Sequence, residues 1–365
     1  MKKICFILNS SGSLSVVYPI IKILENYKII FYVLYSDQLK KNRILSQIKT
    51  KKIYLKSRIS QKKCKSYLKR INPKLVYCGN NGNNEFELNF LKSAKLNKFK
   101  TFTLMDSWTY PLRRFQIRDK NNFEYIFPDL IGVPDISVRN KINKISDTKT
   151  FVVGYPQFNF NVFKYYQKKR QEINKLTNFL YVSTPYEKPK KKYIYDGSEI
   201  FFDQKKIVNT LLNVLNTYFE KKQKKTFITF RLHPLEKKNF RSYLIKIAKK
   251  YKNLIFYFDK KIHNYESYLN KNAVFGISSM MLLEASKCGL PSISLQLDRE
   301  FTKKGKKNFF KNIKGVKVCS NINELKKELN KLKAGNNVKI IKHKIMKKNF
   351  LNKNLNIAKQ ILKEI

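Results

Sequence analysis

The chain of 365 residues is long enough for two domains with cores of their own, and a hydrophobic fraction of 42% with 14% aromatics excludes a disordered polymer. It carries 77 Lys and Arg against 25 Asp and Glu, a net +52, but the lysines are spread over every segment beside abundant Asn, Ile, Phe and Tyr. This dispersal reads as A/T-rich codon usage and not as a nucleic-acid-binding stripe, so nucleotides, phospholipid headgroups and acidic glycans are favoured partners and nucleic acid is not. Five cysteines without paired or zinc-type spacing argue for reduced core residues, and no apolar run approaches the roughly 18 residues of a membrane span.

In chain order, Ile4–Leu8 reads as a strand closing at the turn Asn9-Ser-Ser-Gly12. Despite the preceding Lys2-Lys3 it is too short for the apolar core of a signal peptide, so a cytoplasmic protein is expected. Strands follow at Ile29–Tyr35, Leu75–Cys78 and Phe102–Met105, alternating with helical patterns over Leu14–Glu25, about Ser60–Ile71 and Glu85–Leu96. Thr150-Phe-Val-Val-Gly-Tyr-Pro156 reads as a strand running into a Gly154-Tyr-Pro156 turn, where a hinge is expected. A second series has strands at Phe179–Val182, Phe227–Phe230, Leu254–Phe258, Ala273–Phe275 and Ser292–Leu295, with helices at about Asp203–Phe219, Phe240–Tyr251, Tyr265–Asn270 and Met280–Cys288. Tyr186–Tyr195, rich in Lys and Pro, is expected as a solvated loop.

Such alternation predicts an α/β protein of two facing Rossmann-like domains with parallel sheets. The expected division is 1–155, 156–340 and a C-terminal amphipathic helix at 341–365. In that helix Ile341, Ile345, Leu351, Leu355, Ala358 and Leu362 follow roughly helical spacing, and packing across both domains is expected. A basic membrane-surface helix is the alternative.

In open parallel sheets ligands gather beyond the carboxyl ends of the strands, so the turns there are read together. Arg231-Leu-His-Pro234 follows one strand, and Pro234 fixes a turn from which His233 projects, able to donate to a leaving phosphate or to act as a base. Arg231 offers a charged fork to the same phosphate, unless it is merely solvated. Gly276-Ile-Ser-Ser279 leads into a helix whose open N–H groups and dipole suit a phosphate; Ser278 and Ser279 serve as its cap or as ligands, since both use the same helix end. Glu284, inside that helix, is placed for ribose hydroxyls or for a helix-surface charge. Together these residues suggest a pocket for a nucleotide diphosphate or monophosphate sugar.

In the first domain Asp106 precedes the single tryptophan, Trp108, a pairing that suits an acceptor-sugar platform and a general base, or a turn cap beside a packed ring. Ser10, Ser11 and Gly12 line the first turn on the acceptor side. One glycine falls short of Gly-x-Gly-x-x-Gly, and no phosphate-cradling Gly-x-x-x-x-Gly-Lys loop is present. No metal or separate cofactor is expected.

These residues resemble the GT-B superfamily of nucleotide-sugar glycosyltransferases. His233-Pro234 and Ser278-Ser279 look like the paired His-Pro and Ser motifs of bacterial sialyl- and polysialyltransferases and teichoic-acid glycerophosphotransferases. The run from Gly276 through Glu284 to Gly289-Leu-Pro291 is similar to the superfamily's donor-binding helix, and Asp106-Ser-Trp-Thr-Tyr-Pro-Leu-Arg-Arg-Phe115 looks like a segment of polysaccharide-biosynthesis relatives. The resemblance implies that the histidine and serines hold the donor phosphate. The expected function is transfer of a sugar from a nucleotide-activated donor to a glycan or lipid-linked acceptor of the cell surface, with the basic surface allowing peripheral contact at the inner face of the membrane. A UDP-N-acetylglucosamine 2-epimerase-like enzyme and a non-catalytic basic binding protein are the alternatives.

Overall fold

The computed structural model describes residues 2–80, 85–107, 111–119, 122–168, 178–185, 193–195, 198–200, 202–220, 225–234, 236, 238–297, 310, 314–333 and 343–364. The chain divides into two compact units, residues 1–160 with 347–365 and residues 161–346.

In the first unit the elements run β1 (Lys2–Leu8), α1 (Ser11–Leu24), β2 (Ile29–Tyr35), α2 (Arg43–Ser46), β3 (Lys51–Tyr54), α3 (Gln61–Ile71), β4 (Leu75–Cys78), α4 (Glu85–Leu96) and β5 (Lys100–Leu104). They continue with an antiparallel pair β6 (Gln116–Asp119) and β7 (Asn122–Tyr125), then β8 (Leu130–Val133), α5 (Ile136–Asn143), β9 (Lys149–Val152) and α6 (Pro156–Lys168). The main sheet has the order β3-β2-β1-β4-β5-β8-β9 and every neighbouring pair is parallel. β1, β4 and β8 are apolar along nearly their whole length, as strands covered on both faces must be. One face packs α1 through Leu14, Val17, Ile20 and Ile21. The other packs α3 and α4 through Leu68, Phe86 and Phe90.

The second unit contains β10 (Asn178–Val182), β11 (Tyr193–Tyr195), β12 (Ser198–Ile200), α7 (Gln204–Glu220), β13 (Thr226–Arg231), α8 (Lys238–Ala248), β14 (Leu254–Phe258), α9 (Asn264–Tyr268), β15 (Ala273–Gly276), α10 (Met280–Lys287), β16 (Ser292–Leu295), β17 (Val316–Cys319) and α11 (Ile322–Lys333). Its sheet is again wholly parallel, ordered β14-β13-β10-β15-β16-β17. Both units are therefore Rossmann-like, as the alternation predicts. Each reverses its strand order beside its first strand, between β1 and β4 and between β10 and β15, which is where such sheets open a crevice at the carboxyl edge.

Three details depart from expectation. The division between units falls at Phe160–Asn161, inside α6 and beyond the Gly154-Tyr-Pro156 turn. Within the stretch expected as a loop, Tyr193–Tyr195 pairs as a strand with Ser198–Ile200, while residues 186–192 lie outside the described residues. The last helix, α12 (His343–Lys363), was expected to lie across both domains, but its described side chains pack into the first unit. The buried positions are Asn354, Ile357, Ala358 and Ile361, one step round from the face centred on Leu355 and Leu362, which stay partly exposed. The amide of Asn354 explains the rotation: it donates to Pro156 O at 3.1 Å and its Oδ1 accepts from Asn159 at 3.0 Å, so it must face inward. All five cysteines are buried and none is in a disulfide.

Candidate functional site

The switch point of the second sheet gathers three turns. Val182, the last residue of β10, pairs with Arg231 of β13 on one side and with Gly276 of β15 on the other, so the Arg231–Pro234 and Gly276–Ser279 turns flank Ser183 on one sheet edge. Buried Ser183 holds the first of them: its Oγ accepts the His233 N–H at 2.8 Å, and its own N–H donates to Arg231 O at 3.0 Å. Pro234 then turns the chain outward. The His233 side chain is solvent-accessible, yet the surrounding protein lowers its pKa below the ordinary histidine value by desolvation, which favours the neutral imidazole.

On the other flank Ser279 caps α10, its Oγ accepting from Met281 N at 3.3 Å, and Ser278 sits half-buried just before it. The histidine turn and the helix start thus leave the same end of the sheet.

Arg231 is corrected. It was expected as an open fork, but its Nη1 donates to Asp259 at 2.7 Å, to Ser267 Oγ at 2.8 Å and to Lys261 O at 3.1 Å, while Nη2 donates to Asn264 Oδ1 at 3.1 Å. The cause is register: Phe230 pairs with Phe258, so Asp259 leaves β14 beside Arg231 and draws the guanidinium along the sheet edge. Burial alone raises the carboxyl pKa of Asp259; Ser267 and Arg231 overcome this and hold it below the ordinary carboxylate range.

Glu284 is not a helix-surface charge: it is 1% exposed. Desolvation pushes its pKa up to about 7, against the pull of Asn161, Tyr268, Asn264 and Arg231. Asn264 Nδ2 is 3.4 Å from Oε2, whereas among the described residues Oε1 finds no partner at hydrogen-bond geometry.

The first unit carries a second polar cluster at its own switch point. Ser10 caps α1, accepting from Ser13 N at 3.1 Å, and Ser11 Oγ accepts from Asn42 Nδ2 at 3.1 Å, so both hydroxyls already serve the turn. Asp106 follows β5 and forms an ion pair with buried Arg114, whose Nη1 also donates to Asn80 O at 2.6 Å and to Asn80 Oδ1 at 3.2 Å. Gly12 is small for a reason: a Cβ there would collide with Asp106 Oδ2. Gly79 is equally constrained by Glu87 and Ser13, and Glu87 Oε1 accepts the Asn9 N–H at 2.9 Å. Trp108 lies outside the described residues.

Asn80, Glu87 and Arg114 carry no role in the sequence reading. Arg114 lies eight residues after Asp106 in the chain, and only the fold shows that it reaches back to that carboxylate. Among the described residues no group of three or more His, Cys, Asp or Glu gathers to hold a metal, and no helix is long and apolar enough to cross a membrane.

No protein-family profile matches the chain, and no curated protein sequence matches it. Solved structures do. The UDP-GlcNAc 2-epimerase of Methanocaldococcus jannaschii superposes with a TM-score of 0.62 at 16% identity, over 91% of this chain and 92% of that one. The UDP-GlcNAc 2-epimerase of Neisseria meningitidis, solved bound to UDP-GlcNAc, gives 0.63 at 13% identity over 99% and 100%. A glycosyltransferase of Rickettsia africae gives 0.58 at 12% identity over 99% of each chain. At these identities the likeness carries the fold, two Rossmann-like α/β domains of the GT-B type.

Proposed function

We propose that this protein is a nucleotide-sugar enzyme, and specifically a glycosyltransferase that moves a sugar from an activated donor to a cell-surface glycan such as a capsule or lipopolysaccharide chain. The observation that carries the reading is the second unit's switch point, where the His233-Pro234 turn and the start of α10 flank Ser183 on one sheet edge. The N–H groups and dipole of α10 with Ser278 and Ser279 take the donor phosphates, the His233 imidazole donates to the leaving oxygen, and Glu284 accepts from the ribose. Arg231 acts indirectly, by bracing the turn through Asp259 and Ser267.

In the transfer, Asp106 removes the proton of the acceptor hydroxyl and that oxygen bonds to the anomeric carbon. The bond from this carbon to the phosphate oxygen breaks, and its electron pair leaves with the nucleotide. The basic surface brings a lipid-linked acceptor into reach at the cytoplasmic face of the membrane.

The test is nucleotide release by purified protein from a panel of UDP-, GDP- and CMP-sugars. His233→Ala is expected to lower kcat on the accepted donor by about 10²-fold; unchanged turnover would remove the phosphate role. A second reading, epimerisation of the sugar nucleotide itself, is favoured by the structural likeness to two UDP-GlcNAc 2-epimerases, one solved with UDP-GlcNAc. Formation of the 2-epimer from UDP-GlcNAc with no acceptor present would decide for it.

A further inference from the structure

We infer that Arg114 is the positioning residue for Asp106, holding one carboxylate oxygen so that the other faces the first turn of α1 as a fixed acceptor. The inference rests on the reading of Asp106 as base and adds the device that aims it.

Arg114 lies on a single 3-10 turn, Arg113–Phe115, which is anchored by its last residue: Phe115 is buried with Met105, Ile131, Val133, Val138 and Ile142, and its ring meets that of Phe127 at a tilt, with centroids 4.9 Å apart. The guanidinium therefore leaves a rigid base. Its Nη1 alone meets Asn80 O, Asn80 Oδ1 and Asp106 Oδ1, joining the turn after β4 to the turn after β5. Asp106 Oδ2 lies directly over Gly12, where any side chain would strike it. One oxygen is thus committed to the arginine and the other is directed at the start of a 14-residue helix whose cap is Ser10.

Stability alone does not call for such a pair. Arg114 is 9% exposed, and a buried ion pair is often matched or bettered by apolar residues of similar size because both charges must be desolvated. A carboxylate pinned on one side and partly open on the other is what a directed base requires, since misplacement by about 1 Å costs about 10²-fold in rate.

The experiment compares Arg114→Met, Arg114→Lys and Gly12→Ala with Asp106→Asn. Turnover is followed as UDP release from UDP-GlcNAc and the other sugars of the panel, UDP affinity by calorimetry, and the Asp106 side chain by crystallography. Expected are an Asp106 carboxylate swung away from α1 in Arg114→Met and Gly12→Ala, a fall of about 10²-fold in kcat with UDP affinity within about twofold, and partial return of rate when guanidinium is added to Arg114→Met. An unmoved carboxylate in Arg114→Met overturns the inference. So does full kcat in that variant while Asp106→Asn is inactive, which leaves the base reading standing. Full activity in Asp106→Asn instead removes the base reading, and the positioning role with it.

Discussion

Glu284 is a carboxyl kept in a place that does not solvate it, and its ionisation is therefore linked to folding. In the unfolded chain it titrates near 4.5, in the folded protein near about 7. Below both values it is protonated in both states. Between them only the folded protein keeps the proton, so this group's contribution to stability declines as pH rises across the window and is level above it. The decline is on the order of 3 kcal/mol. Glu284→Gln removes it: relative to the parent protein, the variant is expected to gain stability as pH rises from 4.5 to about 7, the window set by the two titrations. A stability difference that stays flat across that window, measured by urea unfolding, would contradict the burial argument. The sequence placed Glu284 on a helix among Leu282, Leu283 and Ala285 but could not show which way it turned. Asn161 and Asn264, the residues around it, come from other elements, and local periodicity carries no trace of them.

At the scale of the element, α10 has two duties that a pair of substitutions separates. Ser279→Ala removes the cap and is expected to cost about 1 kcal/mol of stability in the second unit, while Ser279→Gly, which leaves the helix end open to water, costs a few tenths. If the hydroxyl also binds phosphate, Ser279→Gly still loses UDP affinity despite its near-normal melting temperature. Equal affinity in Ser279→Gly and the parent protein would confine Ser279 to capping. This helix and most strands were readable from the chain: Ile29–Tyr35 and Leu254–Phe258 match the observed strands end for end, because continuous apolar runs bounded by polar turns leave little choice. β3 and β8 were not anticipated. β3 lies at a sheet edge with three of its residues exposed and so lacks an apolar signature, while the four residues of β8 sit between Pro128 and Pro134 and resemble a loop. The partners of Arg231 are illegible for a similar reason, since Asp259 becomes its neighbour only through β13–β14 pairing.

For the molecule as a whole, the composite first unit is the feature with the most reach. Its core includes Ile357, Ala358 and Ile361 from α12 beside Phe102, Leu104 and Leu130, and Glu364 pairs with Lys100 at 3.3 Å. Ile361→Ala is expected to cost about 2–4 kcal/mol, read as earlier loss of hydrogen-exchange protection in β5 and β8 than in β13 and β15. Simultaneous loss in both sheets would mean that the two units unfold as one. The +52 charge decides none of this, since the cores are built from apolar side chains that carry no charge.

Asn159 closes its hydrogen bond with Asn354, 195 positions further along the chain. On the ribosome, then, the first half to emerge is the last to be completed. Its hydrophobic groove stays open through translation of the entire second half, a period in which a chaperone has something to hold and a misfolding chain has something to misuse.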